Sequence, residues 1–389
     1  MSGDLKIAML LSDAFGGFGG ISQFNRDFLT ALDAARPIER IYVLPRVVAE
    51  PTKDLLPETV IFDRAAARTK FGFVWRFLVR LVRDDGVNLV ICGHLHLLVL
   101  AYVLARLRRA RLALIIHGVE AWTPSHNWLV RQLVRRIDCF IAVSRYSALR
   151  FTAWSGVPME KGFILPNCVD LGRFRPGPRD PILVERYGLD RKRVLLTLGR
   201  LEARERYKGV DEVIELLPGL IRRYPELVYL LAGDGSDRAR LEQKVERLGL
   251  TEHVRFAGRV AEQEKVAHYN LAEVFVMPST GEGFGIVLIE AAACGTAVIG
   301  SSTDGSREAL LDGALGILVE PGNPAALNAS ITHALEMPAS RARHAGVSTY
   351  SVQSFRTRVA NWVEQQIEAR RPLDRTKVSS PVCEIAAGP

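Results

Sequence analysis

The stretch GEGFGIVLIE, from Gly281 to Glu290, places two carboxylates on either side of a glycine-rich turn. The preceding run VFVMPS is typical of a buried strand, and the following IVLIEAAACG is typical of a helix. Free backbone amides at the N-terminus of a helix form an anion site. The amides of Gly283, Phe284 and Gly285 could therefore hold a diphosphate.

The two acids of this stretch suit hydroxyl groups on either side of a diphosphate. Glu282 precedes the turn, whereas Glu290 lies roughly a turn and a half into the helix, within reach of a ribose. The alternative is that Glu282 is a solvated loop acid and Glu290 a helix surface residue. Because Leu288, Ile289 and several alanines flank Glu290, we expect it to be buried, and a buried acid needs a partner.

Two cations follow another predicted strand at its carboxyl end. Arg200 comes directly after VLLTLG, and Lys208 follows a polar loop in GRLEARERYKG. Cations delivered from a strand end can neutralise the charge that develops when a diphosphate departs. The alternative for both is a solvated surface, because a run of mixed charges is usually exposed.

A second glycine-rich turn follows the first predicted strand, in SDAFGGFGGISQF. Four glycines in five residues cost backbone entropy on folding, so this loop is expected to let another molecule approach the main chain at Gly19 and Gly20. The helix that begins near Ile21 would add an anion site. A flexible turn is the alternative. A dinucleotide fingerprint is excluded, because Ser22 stands where the third glycine should be.

Short apolar runs alternate with amphipathic helical patterns along the chain, which predicts parallel strands covered by helices on both faces. A segment rich in Pro, Gly and Arg at 168–182 predicts a linker between two series of strands. The sequence therefore predicts an α/β protein of two doubly wound domains, with ligands in the cleft at the strands' carboxyl ends. The predicted strands cover 5–11, 40–45, 87–93, 111–118 and 139–144, and then 194–200, 228–235, 254–260, 274–279, 296–301 and 315–321.

The most apolar stretch, from Leu89 to Leu107, approaches the length of a membrane span. It contains Gly93, His94 and His96, so we interpret it as a buried strand, a loop and a core helix. The five cysteines are odd in number and form no CxxC pair, which indicates a reducing cytosol and neither a disulfide framework nor a zinc site. The N-terminus shows no signal peptide.

The formal charge of +8 is unevenly distributed. Residues 1–170 contain 22 lysines and arginines against 15 acids, so nearly all of the excess lies there. This distribution suits an anionic partner: a phosphate-bearing substrate, a membrane surface or nucleic acid. No pattern of aromatic and basic residues supports nucleic acid.

Taken together, GGFGGIS after the first strand, HG after the fourth, GRL…ERYKG, GDG and Glu282-x7-Glu290 resemble the retaining glycosyltransferases of family 4 over roughly residues 5–365. This resemblance implies a GT-B fold, with two facing Rossmann-like domains. It implies an acceptor-binding domain at 1–170 and a nucleotide-sugar-binding domain at 183–350. A C-terminal helix at 351–371 would pack back on the first domain, and 372–389 would be a disordered tail.

The resemblance also implies roles for individual residues. Arg200 and Lys208 would hold the donor diphosphate, Glu282 the donor sugar and Glu290 the ribose, and GDG and Val260 would border the base. The residues implied to be catalytic are Glu282, His117, Arg200 and Lys208. Those implied to bind the donor are Gly19, Gly20, Arg200, Lys208, Gly235, Val260, Glu282, Gly283, Phe284, Gly285, Ile286 and Glu290.

His117 would lie beneath the donor sugar near the acceptor. The alternative is that this histidine, which follows the apolar run ALII, is a buried core residue with its hydrogen bonds made. Two departures from the family pattern occur. The gap between Arg200 and Lys208 is longer than in the common PEKG form, and Cys168 stands where glycine is usual. No D-x-D sequence occurs, so we expect no metal or other cofactor, with cations and a helix dipole in its place.

We therefore expect a retaining transferase that moves a hexose from GDP-mannose or a UDP-hexose to a saccharide or lipid-linked acceptor, in bacterial exopolysaccharide or lipopolysaccharide assembly. Retention would follow the front-face route usual for the family. The alternatives are a nucleotide-sugar epimerase of the same fold and a non-catalytic sugar-nucleotide-binding protein. A phosphorylase would need a pyridoxal lysine, and the second domain offers no clear one apart from Lys208.

Arginines recur beside bulky apolar residues at helical spacing in 73–83, 104–112 and 128–137. Such helices could lie on anionic lipid, although half-buried scaffolding with a solvated basic edge is the alternative. The expected location is the cytoplasm, with peripheral contact at the inner face of the plasma membrane.

Overall fold

The computed structural model describes residues 4–35, 37–48, 56–83, 86–337 and 345–369. These ranges form two parallel sheets, with the strand orders β3-β2-β1-β4-β5-β6-β7 and β10-β9-β8-β11-β12-β13. The first contains β1 (Leu5–Leu11), β2 (Ile38–Pro45), β3 (Val60–Phe62), β4 (Leu89–Cys92), β5 (Arg111–Ile116), β6 (Cys139–Ala142) and β7 (Gly162–Ile164). The second contains β8 (Arg193–Leu198), β9 (Leu227–Ala232), β10 (Val254–Gly258), β11 (Val274–Met277), β12 (Ala297–Ser301) and β13 (Ile317–Val319).

Helices cover both faces of each sheet. Those of the first half are α1 (Gly20–Ala34), α2 (Lys70–Val82), α3 (Leu98–Arg108), α4 (Trp128–Leu133) and α5 (Arg145–Ser155). The remainder are α6 (Pro181–Tyr187), α7 (Val210–Arg223), α8 (Arg238–Arg247), α9 (Lys265–Leu271), α10 (Ile286–Ala293), α11 (Ser306–Ala309), α12 (Pro324–Glu336) and α13 (Val352–Glu368). The strands are nearly continuous apolar runs because both of their faces are covered.

Every strand predicted from the sequence is confirmed, with ends that differ by up to three residues. Two three-residue strands, β3 and β7, were not predicted, because so short a run carries no periodicity. The stretch 89–107 forms β4, a turn and most of α3, as expected, and no helix in the described ranges is both long and apolar enough to cross a membrane. The single helix expected over 104–112 is wrong. α3 ends at Arg108, Arg109 takes a left-handed conformation with φ 50°, and β5 begins at Arg111.

The strand order reverses once in each sheet, between β1 and β4 and between β8 and β11. In doubly wound folds this reversal opens a crevice at the carboxyl ends of the strands. The glycine loop follows β1, and Arg200 and the turn at 281–285 follow β8 and β11. The topology therefore brings the predicted functional loops of both domains to facing crevices.

α13 returns the chain to the first domain. Phe355 packs edge-on against Phe24 of α1 with ring centroids 5.9 Å apart, and the fully buried Trp362 packs against Phe28 at 5.7 Å. The Val169 amide donates to the Tyr350 carbonyl at 2.8 Å just before this helix. The last described helix therefore packs into the core of the N-terminal domain. The segment 372–389 lies outside the described residues.

Candidate active site

A cleft of about 800 Å³ separates the two sheets and is lined by residues of both. Phe18 of the glycine loop stacks across it on the guanidinium of Arg259, at 3.6 Å from Cζ to the ring centroid. Of the residues predicted from the sequence, those that line the cleft are Gly19, Gly20, His117, Arg200, Lys208, Val260, Glu282, Gly283, Phe284, Gly285 and Ile286.

The turn before α10 is fixed from both domains. Gly285 is the N-cap of α10 with φ 85°, a conformation that favours glycine. A Cβ on Gly283 would lie 2.2 Å from the carbonyl oxygen of His117, so no other residue fits there without moving the loop. The Gly283 carbonyl accepts hydrogen bonds from Ser144 Oγ at 2.6 Å and Ser147 Oγ at 3.2 Å. The turn whose amides could hold an anion is thereby fixed against the loop after β5.

Asp304 holds the Glu282 end of the same turn. Its Oδ2 accepts from the Glu282 amide at 2.8 Å and from Ser279 Oγ at 2.7 Å. Burial raises the pKa of Glu282 to about 7, and the negative charges of Asp304 and Glu205 act in the same direction, while the Lys208 ammonium opposes them. Glu282 therefore exchanges its proton near neutral pH, where a protonated and an ionised carboxyl are both available to hydroxyl groups.

Arg200 and Lys208 meet on a third side chain that the sequence analysis did not identify. Glu205 is 7% exposed, forms a salt bridge to Arg200 and accepts from Lys208 Nζ at 2.7 Å. The two cations are thus already positioned in the cleft by a carboxylate. The position of Glu205, three residues before Lys208, could have indicated this pairing. The charged residues around Glu205 instead suggested a solvated surface.

Glu290 is buried, as its apolar neighbours predicted, and it has partners. The Tyr269 hydroxyl donates to it at 2.7 Å and Lys265 Nζ lies 3.3 Å away. Glu290 lies behind the cleft surface, while Lys265 and its salt-bridge partner Glu262 line the cleft. Contact between Glu290 and a ribose therefore stays a prediction.

Gly235 also lies outside the cleft surface, although its neighbours Gly233 and Asp234 line it. A Cβ on Gly235 would lie 2.5 Å from the Leu201 carbonyl oxygen, so the glycine permits close packing of the loops after β8 and β9. Its place beside a base stays a prediction, and the structure assigns it a supporting position.

His117 lines the cleft and is also a hydrogen-bonded core residue, so both interpretations of it hold in part. Its Nε2 donates to the Gly93 carbonyl at 3.2 Å, and burial lowers the pKa of the ring, which favours the neutral form. Glu120, which the sequence analysis did not identify, lines the cleft and accepts from the His117 amide at 2.6 Å and the Gly118 amide at 3.0 Å. Glu120 therefore holds the backbone of the loop that touches Gly283.

Cations and backbone amides are the groups of this cleft that are suited to an anion. In the described ranges, no group of three or more His, Cys, Asp or Glu side chains is arranged to hold a metal ion. The four described cysteines are buried and form no disulfide. The cleft can therefore bind a diphosphate with backbone amides, a guanidinium and an ammonium group, and it can accept hydrogen bonds from hydroxyls at Glu282.

Two family models match the chain in succession. Glycosyltransferase Family 4 matches residues 18–173, and Glycosyl transferases group 1 matches residues 182–346. A GDP-mannose-dependent α-(1-6)-phosphatidylinositol monomannoside mannosyltransferase of Mycolicibacterium smegmatis is 32% identical over 84% of this chain and 86% of that protein. A phosphatidyl-myo-inositol mannosyltransferase of Mycobacterium tuberculosis is 35% identical over 49% of each chain.

Solved structures share the fold at lower identity. The Anabaena protein HepE in complex with UDP-glucose superposes with a TM-score of 0.74 at 21% identity, over 92% of this chain and 99% of that one. Sucrose-phosphate synthase from Thermosynechococcus elongatus also gives 0.74 at 21% identity, over 93% and 99%. At this level of identity the likeness establishes the two-domain fold with its cleft.

The environment of Glu282 makes a prediction that needs no substrate. Lys208→Met removes the cation that favours the ionised carboxyl, so we expect the pKa of Glu282 to rise from about 7 to about 8 or higher. The measurement is the pH titration of the Glu282 Cδ chemical shift by carbon NMR, assigned with Glu282→Gln. Lys192→Met, at the other end of β8, is the matched control and should leave the titration unchanged. A lower or unaltered midpoint in Lys208→Met would contradict the arrangement described here.

Proposed function

The chain belongs to the glycosyltransferase family 4 that these models describe and is a hexosyltransferase, and from that premise we propose that it transfers mannose from GDP-mannose to a lipid-linked or saccharide acceptor. The observation that carries the chemistry is the cleft in which Arg200, Lys208 and the amides of the α10 turn converge. The donor is proposed from the relatives, because the mannosyltransferase aligned over 84% of this chain is named as GDP-mannose-dependent.

The second domain, within 183–350, is proposed to bind the nucleotide sugar, and the first, within 1–170, the acceptor. The donor diphosphate would lie between the α10 amides and the two cations that Glu205 now holds. As this group leaves, Arg200 and Lys208 would stabilise the negative charge that collects on it. Glu282 would accept hydrogen bonds from hydroxyls of the sugar, and Lys265 supports a place for the ribose near Glu290.

We propose that the reaction proceeds with retention and without a metal. The bond between the anomeric carbon and the diphosphate oxygen breaks while the acceptor oxygen bonds to the same face of that carbon. The acceptor proton passes to the departing phosphate. One observation supports this route: one oxygen of Glu120, a carboxylate of the cleft, is occupied by two backbone amides. The cations that pair with Glu205 support charge neutralisation by side chains.

A panel of donors tests the proposed substrate. The protein is incubated with GDP-mannose, GDP-glucose, UDP-glucose or UDP-galactose and a phosphatidylinositol-based acceptor, with and without EDTA, and release of nucleoside diphosphate is followed. We expect the highest turnover with GDP-mannose, an α-linked product by NMR and no effect of EDTA. Turnover confined to a UDP-hexose would refute the donor, and an isomerised sugar nucleotide without transfer would indicate an epimerase.

Removal of a single charged group from the cleft should abolish transfer in a folded protein. Lys208→Ala removes a cation from the leaving group, and Glu282→Ala removes the acceptor of sugar hydroxyl bonds. We expect each to lower kcat/KM by about 100-fold or more. Glu246→Ala, at an exposed position of α8, is the control and should retain activity. Near wild-type turnover by either cleft variant, with an unchanged circular dichroism spectrum, would remove that residue from the mechanism.

We further propose that the protein works at the inner face of a bacterial membrane, where a lipid-linked acceptor would be presented. α2 exposes one apolar face: Phe71 is 79% exposed, Trp75 57% and Val82 84%. With Val74 and Leu78, these residues follow the i, i+3, i+4, i+7 spacing of a single helix face. Buried Phe73 and Phe77 anchor the opposite side. Such a face, with arginines beside it, is typical of helices that lie in a lipid interface.

Flotation with vesicles tests the membrane contact. Phe71→Ser/Trp75→Ser removes two large side chains from the α2 face, so co-flotation with vesicles containing phosphatidylinositol should fall about tenfold or more. Ile182→Ser/Leu248→Ser, which removes two exposed apolar side chains from the second domain, is the control and should float like the wild type. Failure of the wild type to float at low salt would count against the proposal.

A further inference from the structure

A second cavity, of about 420 Å³, lies between α2 and the edge of the first sheet. It shares no lining residue with the cleft. Tyr42 and Leu44 of β2, the end of β3 and the flank of α2 form its walls. Its charged lining consists of five arginines and one carboxylate, which are Arg40, Arg64, Arg76, Arg80, Arg83 and Asp63.

Two of the arginines are held in place by neighbouring groups. Arg76 Nε lies 2.5 Å from the Asp63 carboxylate, which is therefore already engaged. The guanidinium of Arg80 stacks on the ring of Tyr42, with Cζ 3.9 Å from the centroid. Burial lowers the pKa of Arg80, and nearby Arg83 lowers it further, since a second positive charge disfavours the first. An anion in the cavity would relieve this repulsion.

The other three arginines carry the charge that the protein leaves available. Arg40, Arg64 and Arg83 form no salt bridge within the part of the chain that the structure describes. A guanidinium presents its N–H groups in a planar fork that matches two oxygens of one phosphate. A group of such forks around one cavity is therefore suited to a phosphate ester.

The cavity lies beside the apolar face of α2. Arg76, Arg80 and Arg83 follow one another at i, i+4 and i+7, so they form a row along the helix, about a third of a turn away from the row of Phe71 and Trp75. With the apolar row in the acyl boundary, the long arginine side chains on the flank of the helix can reach the level of the lipid phosphates. The position of the cavity thus favours a phosphate that belongs to a membrane.

The positive charge of the first half of the chain supports the same conclusion. The cations that line the cleft, Arg200, Arg204, Lys208, Arg259 and Lys265, all belong to the second half. The excess of lysine and arginine in residues 1–170 therefore serves something other than the donor diphosphate in the cleft. Five of the arginines of this half line the half-open cavity beside α2.

We propose that this cavity binds the phosphate of an anionic phospholipid headgroup and so fixes the orientation of the first domain on the membrane. The proposal rests on the membrane contact argued under Proposed function. It adds a specific anion site to a contact that apolar side chains alone would leave free to rotate. Its ligand chemistry, a phosphate ester, would also suit a soluble phosphate, and the experiment separates the two sources.

The test measures partitioning of the full-length protein onto phosphatidylcholine vesicles that contain phosphatidylglycerol, without donor or acceptor. Arg40→Gln/Arg64→Gln/Arg83→Gln leaves Arg76 and Arg80 in place, and should lower the partition coefficient by roughly 10- to 100-fold, because each arginine near an anionic surface contributes to binding. Arg40→Lys/Arg64→Lys/Arg83→Lys keeps the charge without the fork and should give an intermediate loss. The thermal midpoint shows whether each variant is folded, and the lysine variant serves if the glutamine variant is not.

The matched control removes the same charge from exposed positions of the second domain, as Arg191→Gln/Arg222→Gln/Arg247→Gln. We expect it to change partitioning by no more than about twofold. Equal losses in the two glutamine variants would mean that net charge alone acts, and wild-type binding by the lysine variant would mean that no built site exists. Calorimetric binding of inorganic phosphate that the cavity variant abolishes, without vesicle binding, would assign the cavity to a soluble anion. Each of these results would overturn the proposal, and none depends on whether mannose is transferred.

Discussion

The close approach of the main chain at Gly283 to the loop at His117 is the constraint on which the cleft depends. A side chain at residue 283 would overlap the His117 carbonyl, and a Cβ on Gly118 would lie 3.1 Å from the Gly283 Cα.

Hydrogen bonds add to this contact. Ser144 and Ser147 donate to the Gly283 carbonyl, and Glu308 accepts from the amides of Arg145 and Tyr146 at the start of α5. The anion site before α10 is therefore part of the interface between the domains, so its geometry depends on how the two domains meet.

Charge in the cleft is arranged before any ligand binds. Glu205 keeps Arg200 and Lys208 together, at the expense of burying a carboxylate, and the energy of that burial is offset by two cations. A diphosphate offers the same cations more negative charge than one carboxylate does. Glu282 differs, because burial raises its pKa to about 7 and the Lys208 ammonium opposes that rise only in part. The cleft thus combines a cationic end that attracts phosphate with a weakly ionised end that suits neutral hydroxyl groups.

The sequence predicted the parts of the fold that have a period or a fixed chemistry. The long apolar runs predicted which segments form strands. The spatial order of those strands, with one reversal in each sheet, places the glycine turns and Arg200 at the crevices. Glu205 and Glu120 could not be predicted, because their roles are contacts to a neighbour that only the folded loop defines. The apolar neighbours of Glu290 predicted that it is buried. They do not show that Tyr269 and Lys265 of α9 contact it. The prediction of one helix over 104–112 was wrong for a similar reason, since nothing in the helical spacing of that stretch reveals the left-handed Arg109.

The positive charge of the first half of the chain is not explained by binding of a nucleotide sugar in the cleft. A phosphate-bearing donor would account for a basic domain only if that domain lined the donor site with cations. Here the first domain contributes to the cleft glycines, His117 and the carboxylate of Glu120, but no lysine or arginine of its described residues. Five of its arginines lie instead on the flank of α2 and at the edge of the first sheet, next to exposed apolar side chains such as Trp75. The cations are therefore divided between the domains: one domain provides them inside the cleft, and the other displays five arginines on a surface where apolar groups are also exposed, a combination that is typical of a lipid interface.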